Sequence, residues 1–364
     1  MPKKIHVAIV FNEPTLMTNS GRKYISESGQ IQQMATKAEV IAAAEQGEID
    51  MSEVGVLEER EHVQGALQQA GYKGTLFNMN GDIQRLLDFI KQKEPDVIFN
   101  LCESIGNESI HEMHVAGLYE LLGVAYTGAP AFVLGTCLNK WRTKEILSHH
   151  GIKSSRFMVV KNISELSEET LALKYPLIVK PSREDASAGI DNASIVEDFS
   201  SLRKRVRLIF NNYDQPALIE EYINGRELNV AIIGNKRPII FPISEIDFSG
   251  LPADYPKIVT YNAKWMQGTP EFVGTVGVCP APIPGELEKK LKEIALKCYR
   301  VMGLRDYGRI DIRLDKNNVP WVLEVNPNPD LSDDAGFARS ARAYGLSFED
   351  TIAKIVEYAL ERMP

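Results

Sequence analysis

Val319-Pro320-Trp321-Val322-Leu323-Glu324-Val325-Asn326, near the C-terminal end of the chain, reads as an apolar strand that ends in polar side chains. A second apolar segment just upstream carries Gly308-Arg309-Ile310-Asp311. Side chains along a strand alternate between its faces. Arg309 and Asp311 therefore share a face, as do Glu324 and Asn326, and one site can collect all four. Two acids and an amide oxygen form a hard, oxygen-only set of the kind that suits Mg²⁺, which shares the rest of its octahedron with water and phosphate oxygens. The pattern points to a nucleotide.

Working outward, 364 residues suffice for two or three domains, and 44% hydrophobic with 25% charged residues is the composition of an ordinary globular protein. A net charge of −8 argues against a nucleic-acid partner, because neutralising phosphates takes a basic face. The run Arg203-Lys204-Arg205-Val206-Arg207 reads as the solvated face of a helix. Cys102, Cys137, Cys279 and Cys298 show no CxxC spacing, so neither a disulfide framework nor a zinc site is expected. The start of the chain has too short an apolar run for a secretion signal, and no later run approaches the roughly 20 residues of a membrane span. A cytoplasmic protein with no membrane partner is the expectation.

His6–Phe11 is a continuous apolar run, the pattern of a strand buried on both faces of a parallel sheet, and 96–101 is a second. Helical spacing at 57–70 and 83–93 completes a strand-helix alternation, so the fold class is α/β with an open parallel N-terminal sheet. Ligands to such sheets bind beyond the carboxyl ends of the strands, here near Asn12-Glu13 and Cys102-Glu103-Ser104. Residues 14–52 interrupt this unit as an insertion, with a helix expected over Lys37–Gln46. Further on, one helix is expected over Ala131–His149, strands over 176–180, 217–222, 227–233 and 238–243, and helices over 287–303 and 347–362. The organisation read from this is an N-terminal domain at 1–130, a central subdomain at 131–215 and a C-terminal subdomain at 216–364.

Lys180 ends a strand and opens the small-residue loop Ser182-Arg183-Glu184-Asp185-Ala186-Ser187-Ala188-Gly189, where backbone amides can approach phosphate oxygens beside a compact positive charge. The stretch Glu220-Glu221-Tyr222-Ile223-Asn224-Gly225-Arg226-Glu227 offers one acid for an adenine amino group, backbone for the ring edge and a second acid for ribose hydroxyls; as a sequence it also fits a charged hairpin.

Asn139-Lys140, Ile178-Val179-Lys180-Pro181, Glu220 to Glu227, Tyr261-Asn262-Ala263-Lys264-Trp265, Gly308-Arg309-Ile310-Asp311 and Leu323-Glu324-Val325-Asn326, in this order and spacing, resemble the ATP-grasp ligases, specifically the D-alanine–D-alanine ligases and their relatives. The resemblance implies an ATP-grasp fold behind the N-terminal α/β domain, and a ligase that couples ATP cleavage to amide formation through an acylphosphate. By position, it implies that Lys140 and Lys180 contact ATP phosphates beneath a loop around Ser187. Glu220, Glu221, Tyr222, Ile223 and Leu323 would line the adenine and Glu227 would hold the ribose. Lys264 would reach the γ-phosphate from a mobile loop. Asp311, Glu324 and Asn326 would hold Mg²⁺, two ions with Mn²⁺ as an alternative, and Arg309 would stabilise the tetrahedral intermediate. A homodimer is implied as well.

The substrate-facing segments depart from that family. The first strand leads into Asn12-Glu13-Pro14-Thr15 instead of a Gly-Gly loop, so the acid that grips an ammonium is sought at Glu13 or in the next helix at Glu59 or Glu61. After Asn326, Asp330 stands where the family has a glycine, and Asp330, Asp333 and Asp334 would repel a substrate carboxylate and suit an amine, unless they cap a helix entered near Asp334. Trp265 replaces a tyrosine and can donate but not accept, so loop closure must use other contacts. His111-Glu112-Met113-His114 lacks metal-site spacing and reads as a helix start. The expected function is an ATP-dependent carboxylate–amine ligase acting on small-molecule substrates; the alternatives are a D-alanine–D-alanine ligase proper and a nucleotide-binding regulatory protein on the same fold.

Overall fold

The computed structural model describes residues 4–13, 54–106 and 108–362 in full, and 15–18 and 21–24 by their backbone. The helix expected over Lys37–Gln46 lies outside the described residues. β1 (His6–Phe11) is buried along its whole length because it is the middle of a parallel sheet, between β4 (Lys73–Asn78) and β5 (Val97–Leu101). The half-exposed β4 has Gly74 and no continuous apolar run, so no periodic signal announces it. β2 (Thr15–Thr18) and β3 (Gly21–Tyr24) pair as a hairpin. Between the parallel strands run the helices Val56–Gln69 and Ile83–Lys93; Asp82 caps the latter by accepting from the Arg85 amide, and Glu94 ends it with a left-handed φ of 43°.

The single helix expected over Ala131–His149 is two, Ala131–Leu138 and Lys140–His149. Asn139 breaks it with ψ 89° and caps the second piece by accepting from the Arg142 amide at 3.3 Å. An Asn side chain competes for nearby amides in this way, and helical periodicity alone cannot register the interruption. The break makes Lys140 the first residue of the new helix.

A second sheet is antiparallel, in the order β6 (Phe157–Val160), β9 (Ala217–Glu221), β7 (Leu177–Pro181), β8 (Ile195–Val196). The helix Phe199–Tyr213 covers it, burying Leu202, Val206 and Ile209 against Leu177, Val179 and Ile219. Arg205, in the run read as a solvated face, is instead 4% exposed and donates to Asp191, Gly189 and Ser194. Since β9 completes this sheet, a boundary at 215/216 would part it from its partners; we propose to draw the division after Glu221.

The third sheet runs β13 (Val276–Val278), β12 (Ser244–Asp247), β10 (Arg226–Ile233), β14 (Tyr307–Leu314), β15 (Pro320–Asn326), with β11 (Ile239–Ile240) on β10. The strand expected over 238–243 shrinks to those two residues, because Pro238 and Pro242 have no amide to donate. Register sets Glu227 opposite Arg313, Asn229 opposite Asp311, Asp311 opposite Glu324 and Arg309 opposite Asn326. Between Asp311 and Ile312 the pairing skips from Glu324 to Val322, leaving Leu323 as a bulge. Ile310, Ile312, Leu314, Val322 and Val325 face one core with Ala8 and Val10, which joins this sheet to the parallel one. The final helix, Phe348–Leu360, packs Ile352 and Ile355 in a second core with Val63 and Leu67. The opposite face of β10, β14 and β15 carries the polar side chains.

Candidate functional site

On that polar face the charges interlock. Arg309 grips Asp311 with both arms of its guanidinium, at 2.8 Å and 2.9 Å, and Asn229 donates to the same carboxylate at 2.7 Å. Arg313 donates to Glu227 at 2.8 Å and to the Ile223 carbonyl at 3.0 Å. From the broken helix, Lys140 reaches Glu324 at 3.1 Å and Asp185 at 3.0 Å. Burial disfavours the charge on Glu324, but Lys140, Lys180, Lys264 and Arg309 outweigh it and hold its pKa down at about 2. Burial likewise works against Lys140, and Asp185 and Glu324 overcome it and raise its pKa.

A second cluster lies behind the first. Glu220, 1% exposed, has Lys144 and Lys180 each at 3.3 Å and accepts from Ser155 at 3.1 Å. Burial pushes the carboxyl up, and the two lysines prevail to bring it below the usual range. Glu220 was expected to meet the adenine amino group; its oxygens here face the two lysines and Ser155, with Glu221 turned to Arg156 at 3.2 Å. Tyr222 donates to the Lys257 carbonyl at 3.2 Å.

Two loops approach over these lysines. Ala186 and Ser187 both have positive φ, 53° and 63°, and Ser187 donates to the Val259 carbonyl at 3.0 Å. The Trp265 indole donates to the Ala186 carbonyl at 3.0 Å, a backbone acceptor in place of a side-chain network. Lys264 lies exposed beside them in the short helix Tyr261–Trp265.

The substrate candidates divide, with Glu59 and Asp330 brought together and Glu13 and Glu61 placed apart from them by their own contacts. Glu59 is 5% exposed and accepts from the Leu331 amide at 2.9 Å, next to Asp330, whereas Glu61 points outward at 56% exposure. Glu13 is buried and accepts from Asn78 at 2.9 Å. Glu112 is 7% exposed and accepts from Asn328, which in turn accepts from Tyr307. Burial, then Asp330 and Glu103, raise the Glu59 pKa well above its ordinary value; burial, then Glu103 and Asp185, do the same for Glu112. Asp330 accepts from the Ser332 amide and Asp333 pairs with Arg342. The following helix begins at Gly336 with no side-chain cap, so the acids are not its caps.

Sequence reading missed Lys144, Asp185, Asn229, Arg313 and Glu112. Asn229 and Arg313 are two residues from Glu227 and Asp311, and the alternation used for Arg309 would have found them. Lys144 is one helical turn after Lys140. Asp185 and Glu112 carried no such signal. Among the described residues no group of three or more His, Cys, Asp or Glu gathers as a metal cage. The oxygen-only set Asp311, Glu324 and Asn326, with Glu324 ionised at neutral pH, fits a hard cation that takes few protein ligands.

A family model described as D-ala D-ala ligase C-terminus matches residues 146–357. A Sinorhizobium fredii protein, y4sG, is 31% identical over 305 residues, covering 82% of this chain and 87% of its own. A D-alanine–D-alanine ligase of Carboxydothermus hydrogenoformans is 30% identical over 303 residues, 81% of this chain and 90% of its own. That of Pelotomaculum thermopropionicum is 27% identical over 336 residues, 90% and 98%. The crystal structure of the Bacillus anthracis D-alanine–D-alanine ligase complexed with ATP superimposes with a TM-score of 0.70 at 21% identity, covering 98% of both chains, and shares the ATP-grasp fold.

Proposed function

This chain belongs to the D-alanine–D-alanine ligase family of ATP-dependent ligases, and from that premise we propose that it joins a small carboxylate to an amine. The observation that carries the proposal is the cluster of cations on the polar face of the sheet: Lys140 at 3.1 Å from Glu324, Lys180 at 3.3 Å from Glu220, and Arg309 on Asp311, which stands opposite Glu324 in the register. Such a set of cations offsets charge on a transferring phosphoryl group. In the first step a substrate carboxylate oxygen bonds to the γ-phosphorus of ATP while the bond to the bridging oxygen breaks and ADP leaves. In the second, the amine nitrogen bonds to the acyl carbon, phosphate leaves, and the nitrogen gives up a proton. Lys140 and Lys180 bind phosphate oxygens, Lys264 meets the γ-phosphate, and Arg309 faces the developing oxyanion. Glu227 orients the ribose and Leu323 lies near the base, with Glu220 acting through Lys180.

Asp311, Glu324 and Asn326 would hold Mg²⁺, which when bound supplies positive charge that neutralises the triphosphate. Asp311 first has to share its oxygens with Arg309, which occupies both. The amine is proposed to enter beside Glu59, Glu112 and Asp330, with Glu13 at the rim. Buried carboxyls whose charge is disfavoured by burial and by one another gain from a substrate ammonium and disfavour a second carboxylate. The departures at Asp330 and Trp265 favour a substrate pair other than two D-alanines, although the named relatives keep that reading as the alternative. Among the described residues no helix is long and apolar enough to cross a membrane. A cytoplasmic homodimer is part of the proposal, tested by light scattering.

The deciding experiment offers purified protein, ATP and Mg²⁺ a panel of amino acids and amines, reading phosphate release and product mass. Turnover with D-alanine alone, at the rate of the best pair, overturns the specificity reading. Tight ATP binding with no phosphate release from any pair would favour a regulatory protein.

A further inference from the structure

Glu271 is a buried carboxylate, 7% exposed, that has no ion-pair partner among the described residues and takes no part in the chemistry above. One of its oxygens, Oε1, accepts from two side-chain amides, Asn192 at 3.1 Å and Asn262 at 3.4 Å. The two donors come from different places. Asn192 follows the loop after β7 that contains Ser187, and Asn262 stands in the helix Tyr261–Trp265, two residues before Lys264. A carboxylate makes stronger hydrogen bonds than a neutral acceptor, and burial keeps water from competing.

The base of the segment that carries Glu271 is fixed. Thr269 caps its helix, Pro270–Gly274, by accepting from the Phe272 amide, and Gly274 packs so tightly on Gly250 that an added Cβ would lie 2.8 Å from its backbone. Three more contacts cross between the same two loops: Ser187 to the Val259 carbonyl, Trp265 to the Ala186 carbonyl, and the Tyr261 amide to the Ile190 carbonyl at 2.9 Å. Those contacts each join one donor to one carbonyl, whereas the Glu271 carboxylate joins both loops through a single buried oxygen.

We propose that Glu271 is a positioning residue, a clasp that fixes the phosphate-facing loop to the helix bearing Lys264 and so sets where that lysine stands. Its kinetic consequences rest on the ligase reading; its structural consequence does not. The test therefore has two arms on the full chain. Hydrogen–deuterium exchange without nucleotide compares wild type with Glu271→Ala, Asn192→Asp and Glu271→Gln. Loss of both bonds in Glu271→Ala, and loss of one with a repelling carboxylate set beside Glu271 in Asn192→Asp, should speed exchange at 186–190 and 261–275 by on the order of tenfold. β14 and β15 should be unchanged, and Glu271→Gln, whose carbonyl still accepts, should stay close to wild type. With ATP and an active substrate pair, Glu271→Ala should raise KM for ATP and the ratio of phosphate released to amide formed, as water gains access. Unchanged exchange in both Glu271→Ala and Asn192→Asp overturns the clasp. So does faster exchange throughout the chain, which would make Glu271 a part of the general core. If wild type releases no phosphate with any pair, the ligase reading falls and the exchange arm alone decides.

Discussion

Replacing Glu324 by Gln removes a carboxylate whose charge Lys140, Lys180, Lys264 and Arg309 favour, while keeping its shape. A fall in pKa from 4.5 to about 2 measures how much more the folded protein favours the charged form. At about 1.4 kcal/mol per pH decade this amounts to at most roughly 3 to 4 kcal/mol. The side chain is 27% exposed, so water screens part of it. For a cooperative unit of 364 residues, an unfolding entropy of about 2.1 cal/mol/K per residue converts that to a melting-temperature loss of about 4 °C. The assay is calorimetry of both proteins from pH 8 down to pH 3. Because the folded pKa is depressed, the advantage of wild type is complete above about pH 4.5 and shrinks as pH falls towards 2. A second readout is ligand binding. The Glu324→Gln change leaves Lys140, Lys180, Lys264 and Arg309 less compensated, so metal-free ATP should bind more tightly to the variant, whereas the gain from adding Mg²⁺ and all turnover should vanish. A variant at least as stable as wild type at pH 7.5 would refute the view of Glu324 as the anion that holds these cations together.

Glu112→Gln should act in the opposite pH sense: burial raises the folded pKa, so the contribution of this carboxyl is fully present below about pH 4.5 and is lost as pH rises, and the variant should gain on wild type in melting temperature between pH 4 and pH 8; a pH-independent difference contradicts this. Lys144→Met should cost on the order of 2 kcal/mol in denaturant unfolding, because the fully buried Glu220 keeps only Lys180 of its two lysines, and the double variant with Glu220→Gln should cost less than the sum of the two single changes; strict additivity refutes the coupling. Gly225→Ala places a Cβ 1.8 Å from the Leu314 carbonyl oxygen, and expression trials should give unfolded or strongly destabilised protein; a normal melting temperature would show that this turn yields easily.

What the sequence disclosed follows from which physical rules are periodic. Strand alternation placed Arg309 with Asp311 and Glu324 with Asn326, because a period of two holds along β14 and the end of β15. The same rule extends to Asn229 and Arg313, which went unread only because no role had been attached to them. Asn139 interrupts a helix through its own side chain, and Pro238 and Pro242 clip a strand by lacking amides; both are local exceptions inside regular patterns. Glu220 shows a different limit. Its position at a strand end was legible, but its pairing with Lys144 and Lys180 was not, because they arrive from a separate helix and strand. The meeting of Glu59 with the Leu331 amide spans 272 residues and no spacing encodes it.

The bulge at Leu323 bears on how this hairpin can vary in length. Val322 and Val325 both lie in the core although three residues apart, and the unpaired Leu323 absorbs the odd count. A shortened chain lacking Leu323 would alternate regularly, with Val322 inward, Glu324 outward, Val325 inward and Asn326 outward. Leu323 is thus spare for the pairing of the strands, though not for the base it is proposed to line. Loss of one residue there leaves the polar register intact, whereas loss of a residue at Val325 would bring Asn326 into its place and turn the amide towards the core.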